Sequence, residues 1–96
     1  MDDEKLKPII KNIIVIINKE EVDKEFIEKI LKRLISFGYT PNENDSWIIT
    51  FCMQKVENHI KNSCNISEIP NELKEVEIDR ICGEFLFSKK QTGQLN

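Results

Sequence analysis

Four runs of apolar residues at helical spacing constrain what this chain can fold into. The clearest run lies between Asp23 and Gly38, where apolar pairs recur four positions apart and charged residues cover the opposite side. The apolar residues of this run are Phe26, Ile27, Ile30, Leu31, Leu34 and Ile35. Asp23 is a suitable N-cap and Gly38 a suitable C-terminal stop. We therefore predict a helix over residues 24–37.

A second apolar run lies nearer the N-terminus and has the same spacing. It comprises Leu6, Ile9, Ile10, Ile13, Ile14 and Ile17. Proline is tolerated in the first turn of a helix, so Pro8 places the start at about that residue, and we predict a helix over 8–19. Residues 13–17 are all β-branched, however, and such a run also fits a buried strand. The sequence leaves that alternative open.

The third run begins after a start signal. Thr40-Pro41-Asn42-Glu43 matches a capping box with proline at the first helical position, and Asn44 and Asp45 are later candidates for the cap. The apolar stripe that follows is Trp47, Ile48, Phe51, Cys52, Val56 and Ile60. This pattern predicts a helix over 41–62 with Asn65 as a left-handed stop.

The fourth run follows Pro70, which pushes the residue before it out of the helical region. Its apolar positions are Leu73, Val76, Ile78, Ile81, Cys82, Phe85 and Leu86. We predict a helix over 71–87 and an irregular tail over 88–96. Gly83 lies inside this helix, where glycine costs about 1 kcal/mol relative to alanine, so we expect a neighbouring helix to approach it closely.

The size and charge of the chain exclude several classes of protein. Ninety-six residues form one small domain, and the four runs predict an all-α fold of about four helices. The net charge of −3 disfavours a protein that binds nucleic acid through a basic surface. The longest apolar run, residues 13–17, is far shorter than the ~20 residues of a membrane span. Three cysteines at spacings of 12 and 18 fit neither a disulfide framework nor a zinc site and indicate reduced thiols.

Residues that could carry chemistry are few. His59 is the single histidine, and Ser63 lies one turn after it, but no orienting acid or oxyanion donor accompanies the pair. The sequence contains no phosphate-binding loop, dinucleotide-binding turn or zinc-protease motif. We therefore expect that the protein is not an enzyme and that it has no catalytic residues, no cofactor and no metal.

Some apolar residues exceed what a monomeric bundle needs. Val15 and Ile16 lie off the stripe of the first helix, so that helix is apolar around most of its circumference. Phe87 and Leu95 have no evident partner within the chain. These residues predict a subunit or partner interface, against the simpler reading of scattered apolar residues on a monomer surface.

A pattern of short motifs extends over residues 37–95. It comprises Gly38-Tyr39, Asp45, Trp47, Val56-x-x-x-Ile60, Asn65, Ile69-Pro70-x-x-Leu73, Asp79, Gly83-Glu84-Phe85-Leu86, Lys89-Lys90 and Thr92-Gly93-Gln94-Leu95. This pattern resembles small head-tail connector (adaptor) proteins of tailed bacteriophages and phage-derived particles. The first predicted helix has no counterpart in the resemblance.

The resemblance implies a structural virion protein. Such proteins form a homo-oligomeric ring, commonly of about twelve copies, between the portal protein and the next neck or tail component. The implied location is the neck of a virion assembled in the host cytoplasm, with no membrane and with DNA passing through the channel without sequence-specific binding. In that setting we expect Lys89 and Lys90, together with Leu95 of the tail, to contact the portal or a neighbouring subunit. An acidic chain with two arginines suits a channel through which DNA must slide.

A different class of function is the alternative. A small cytosolic interaction or regulatory domain, of helix-turn-helix or antitoxin type, would present polar side chains on one exposed helix face. The third helix offers Gln54, Lys55, Asn58, Lys61 and Asn62 for this purpose.

Overall fold

The structure is a computed structural model, and it describes residues 3–18 and 23–91. These residues form four α-helices and no strand: α1 (Asp3–Ile17), α2 (Lys24–Ser36), α3 (Ser46–Cys64) and α4 (Lys74–Gln91). Short 3₁₀ turns at Glu43–Asp45 and Asn71–Leu73 lead into α3 and α4. The predicted all-α fold is confirmed, and the first run of isoleucines forms a helix rather than a strand. Within the described ranges, no helix has the length and apolar character to cross a membrane.

The four helices pack around a single core. α1 and α4 each pack against both α2 and α3, while α1 and α4 do not contact each other in the described residues. In cross-section α1 and α4 therefore occupy opposite corners of the bundle. The buried apolar residues are Leu6, Ile9, Ile13, Ile27, Ile30, Leu31, Leu34, Ile49, Cys52, Val56, Ile60, Ile78, Ile81, Cys82 and Phe85. Each helix contributes one stripe, and burial of these stripes holds the bundle together.

Both ends of α2 follow local signals in the sequence. The Asp23 carboxylate accepts a hydrogen bond from the backbone N–H of Phe26 at 3.1 Å, as an N-cap should. At the other end Gly38 has φ of +91° and Tyr39 N–H donates to the Leu34 carbonyl, which forms a Schellman motif. The predicted bounds of this helix differ from the observed ones by one residue.

The start of α1 differs from the prediction. The helix begins at Asp3, five residues before Pro8, and includes the proline in its interior. The turn before Pro8 places Leu6 on the same stripe as Ile9 and Ile13, and Leu6 is buried in the core. Pro8 is exposed, so water can reach the carbonyl that loses its helical partner. The helix ends at Ile17, because Asn18 adopts a left-handed conformation, and the predicted last residue, Lys19, lies outside the described residues.

The start of α3 also differs from the prediction. Asn42, not Thr40, caps the 3₁₀ turn: its side chain accepts from Asn44 N–H at 2.9 Å, and the Asp45 carboxylate accepts from Asn42 N–H at 3.0 Å. This capping box lies two residues later than the predicted one, and α3 begins at Ser46. Asn65, with φ of +55°, stops the helix as predicted.

The buried stripe of α3 is rotated relative to the predicted one. Ile49, Cys52, Val56 and Ile60 are buried, whereas Trp47 is 71% and Phe51 64% exposed. Packing against both α1 and α4 requires a stripe centred on Ile49, which places Trp47 and Phe51 on the outward side.

The end of α4 corrects two further predictions. The helix continues through residues 88–91, and residues 92–96 lie outside the described ranges. Gly83 lies on the exposed side of α4, and a Cβ placed there would meet no atom within 4 Å. The expected close approach of a neighbouring helix at Gly83 is therefore wrong within the subunit, because the core side of α4 is formed by Ile78, Ile81 and Phe85.

Candidate interaction surfaces

The described part of the chain does not bring together His59 and Ser63, the pair that the sequence offers for chemistry. His59 and Ser63 are both exposed, and no hydrogen bond joins them. No group of three His, Cys, Asp or Glu residues among the described positions is placed to hold a metal ion. Burial raises the pKa of the Cys82 thiol to about 12 and also raises that of Cys52, so both thiols are protonated at neutral pH. Cys52 and Cys82 therefore contribute to the packing of the core.

Aromatic side chains are unusually exposed in this bundle. Four of the seven aromatic residues are more than half exposed: Phe37, Trp47, Phe51 and Phe87. Trp47 and Phe51 lie one turn apart on the outward side of α3, and we call this pair the α3 aromatic surface. Three uncharged residues, Gln54, Asn58 and Asn62, continue the same line along the helix. Soluble monomers normally keep large aromatic groups covered, and interfaces are enriched in them.

The third helix does not present free cations to a nucleic acid at the positions that the alternative function requires. Lys55 Nζ lies 3.1 Å from the Glu84 carboxylate, and Lys61 Nζ lies 2.8 Å from that of Glu57. Both lysines are thus neutralised by carboxylates of the same chain. The other polar residues offered for this purpose, Gln54, Asn58 and Asn62, carry uncharged amides.

A groove of about 610 Å³ lies between α1 and α2. Its apolar floor is formed by Ile10, Ile14 and Val15, and Val15 is 68% exposed there. Lys7, Lys11 and Lys24 rim the groove, together with Glu28. We call this site the lysine groove. Ile16, the other predicted interface residue of α1, is partly exposed and does not line it.

The rim of the lysine groove carries net positive charge. Its one carboxylate, Glu28, lies 2.8 Å from Lys32, which is outside the groove. Lys7 lies 3.8 Å from Glu4, while Lys11 and Lys24 make no ion pair with a described residue. A positive apolar groove in a chain of net charge −3 is suited to an acidic and apolar ligand.

The outward side of α4 differs from the groove in charge. Val76, Asp79, Gly83 and Phe87 recur at helical spacing along α4, and Glu72 adjoins them from the preceding 3₁₀ turn. All five are exposed, and we call this line the α4 outward face. Val76 is 50% and Phe87 59% exposed. At the N-terminal end of the face Arg33 is shared between Glu75 and Asp79, and Glu72 has no cationic partner among the described residues. This end of the face is therefore acidic.

Lys89 lies in the interior rather than at a surface. Its ammonium is 3.1 Å from the buried Asp45 carboxylate, which also accepts hydrogen bonds from the Tyr39 hydroxyl at 2.8 Å and from Asn42 N–H. Burial, and then Asp45, raises the pKa of Tyr39, so the phenol stays a donor. A contact of Lys89 with another subunit would first have to break this pair. Lys90 is exposed, and Leu95 lies outside the described residues.

Sequence reasoning assigned Trp47 and Phe51 to the core and so missed the α3 aromatic surface. The sequence does contain a signal that this side of α3 is exposed. Apolar residues occupy positions 47–49 and 51–53, which is more than one helical face can bury. The amide-rich positions at 54, 58 and 62 continue the side of Trp47 and Phe51, which marks that side as the exposed one.

Comparison of the chain with protein-family models, with curated proteins and with solved structures finds no match.

Proposed function

We propose that this protein is the subunit of a head-tail connector ring, which sits between the portal and the tail of a phage or phage-derived particle. The observation that carries the proposal is the exposure of four of seven aromatic side chains on a bundle whose core is otherwise complete. The motif pattern over residues 37–95 supplies the class of assembly. A subunit whose exposed aromatic side chains are covered by neighbouring components would account for both the exposure and the motif pattern.

The exposed apolar groups are distributed as a ring subunit needs. The α3 aromatic surface, the lysine groove and the α4 outward face lie on different helices of the bundle. A subunit in a ring meets its two neighbours through two different surfaces and has a further surface for the components above or below. We assign the α3 aromatic surface to the portal or neck component, because Trp47 and Phe51 form the most exposed apolar pair.

The charge of the chain suits passage of DNA. The net charge is −3, and Lys55, Lys61 and Lys89 are each neutralised within the subunit. With a net negative charge and with these three lysines paired, a ring of such subunits would not hold a moving duplex.

The location can be tested by cryo-electron microscopy of tailed particles that contain this chain. We expect symmetric density for the four-helix bundle between the portal and the tail. Absence of the chain from purified particles, or its presence only in the capsid shell or tail tip, would contradict the proposal.

A pair of substitutions tests the α3 aromatic surface. Trp47→Ser with Phe51→Ser removes two side chains that the fold leaves exposed, so the purified chain should keep its helicity and unfold as the parent does. In particle assembly we expect heads without tails. Gln54→Ser with Asn58→Ser, on the same outward line, is the matched control and should give normal tails. Normal tails with the aromatic variant would refute the assignment of this surface.

The regulatory alternative makes an opposite prediction. A duplex-binding helix should show an affinity that falls steeply as salt rises. We expect no such binding in a titration with mixed-sequence duplex DNA, because the lysines of α3 are paired. Steep salt dependence would favour the regulatory domain.

A further inference from the structure

We propose that, in the assembled ring, the α4 outward face of one subunit docks into the lysine groove of the next copy. This inference rests on the proposed ring and names the two surfaces by which neighbouring copies meet. The proposed partner of each surface is a second copy of this chain, on grounds of charge and shape.

Charge complementarity supports the pairing. The groove presents Lys11 and Lys24, which make no ion pair with a described residue, around a floor that includes Val15. The N-terminal end of the α4 outward face presents Glu72, which has no cationic partner in the described ranges, and a second carboxylate in excess, because Glu75 and Asp79 share Arg33. Val76, half exposed, lies between these carboxylates and offers an apolar group to the floor. Opposite charges around matched apolar centres favour this orientation over others.

Gly83 provides a second argument. Glycine in the middle of a helix costs about 1 kcal/mol relative to alanine. No described residue explains this cost, since a Cβ at Gly83 would meet nothing within 4 Å. On the α4 outward face, between Val76 and Phe87, the missing side chain leaves a flat site where the backbone of another helix can approach closely. In the proposed contact, the facing helix is one of the two that form the lysine groove.

The positions of the two surfaces fit a ring. The groove lies on the α1–α2 side of the bundle, and α4 occupies the corner diagonal to α1. Two different surfaces on one subunit produce a head-to-tail contact, which repeats from copy to copy until the ring closes. A two-fold dimer would instead use one surface twice.

Charge reversal on either surface tests the pairing. One variant carries Lys11→Glu and Lys24→Glu, and the other carries Glu72→Lys. The control, Lys5→Glu, reverses the charge of an exposed lysine that lines no part of the groove. Each purified chain is added to portal-bearing heads assembled without it, and rings are counted by cryo-electron microscopy. We expect rings with the parent and the control and loss of rings with either reversed variant alone.

Mixing the two reversed variants gives the decisive outcome. Alternating copies place a glutamate-rimmed groove against a lysine-bearing face and a parental groove against a parental face, so we expect rings to return in the mixture. Rings formed by either variant alone, or none formed by the mixture, would overturn the pairing. If the parent chain itself forms no ring on the portal, the proposed function fails as well, which separates the two conclusions.

Two further measurements do not depend on charge. Gly83→Leu places a side chain in open space of the subunit, so the chain should fold, yet we expect loss of rings because close approach is blocked. Phe87 replaced by the photoreactive p-benzoylphenylalanine should crosslink, in assembled particles, to α1 or α2 of a neighbouring copy. Normal rings with Gly83→Leu, or crosslinks only to other elements, would contradict the proposal.

Discussion

Gly38 and Gly83 differ in backbone conformation. Gly38 has φ of +91°, a conformation that side chains disfavour, whereas Gly83 lies in regular helix with open space around it. We predict that Gly83→Ala stabilises the isolated chain by about 1 kcal/mol, because alanine loses less backbone entropy in a helix. Gly38→Ala is the matched control and should destabilise by about 1–2 kcal/mol. Urea unfolding of both variants measures these changes. A loss of stability in Gly83→Ala would show that the site is crowded.

Glu77 is a buried carboxylate with incomplete partners. Its Oε1 has no hydrogen bond, and the nearest ammonium, that of Lys74, is 3.8 Å away. Burial raises its pKa above the ordinary value of 4.5. Between these two pKa values the folded chain binds more protons than the unfolded chain, so this group lowers stability as pH rises through that window.

The substitution Glu77→Gln removes the buried charge and keeps the shape of the side chain. We predict that the variant is more stable than the parent at pH 7, and that the difference shrinks toward pH 4 as Glu77 becomes protonated in the parent. Thermal unfolding across this range measures the effect, with the exposed Glu72→Gln as control. A variant that is less stable at pH 7 would show that the Lys74 contact outweighs the burial of charge.

At the scale of elements, α2 is held at its start by one short-range hydrogen bond. The Asp23 carboxylate accepts from Phe26 N–H, a donor without a helical partner. Asp23→Ala should cost about 1 kcal/mol, whereas Asp23→Asn, which can still accept, should cost less. The free energy of unfolding in urea provides the comparison. Equal losses in the two variants would indicate that the charge, rather than the cap, stabilises this end.

The helices differ in how well their bounds follow from the sequence. Both ends of α2 depend on residues that adjoin the helix, Asp23 and Gly38, so local reasoning places them within one residue. The end of α4 depends on Asp45, which is 44 positions away from Lys89 in the sequence. Residues near the end of α4 give no sign of a contact with a residue so distant in the sequence. Local reasoning therefore assigns the last turn of α4 to the tail.

At the scale of the whole molecule, the Asp45–Lys89 pair joins the end of α4 to the connection between α2 and α3. Both side chains are almost fully buried, and Asp45 also binds Tyr39 and Asn42. Asp45→Ala should destabilise the fold by about 3–5 kcal/mol, because it removes the carboxylate that faces a buried ammonium. Lys89→Met should cost less, since Asp45 keeps its other donors.

The double variant Asp45→Ala with Lys89→Met separates the pair from its parts. Because the double variant also removes the buried ammonium, it should be more stable than Asp45→Ala alone. Urea unfolding of the four chains completes the cycle. Additive losses would show that the two groups do not interact energetically.

The sequence by itself determined the class of fold, because apolar spacing and capping residues act within a few positions of one another. The same local signals identified α2 and the turn at Pro70, and the excess of apolar residues at Val15 and Phe87. Only the tertiary structure decided which of two overlapping stripes on α3 is buried, and hence that Trp47 and Phe51 face outward. It also placed Lys89 inside and Gly83 outside. These outcomes depend on how four helices share one core, and the direction in which a helix faces is set by its neighbours rather than by its own period.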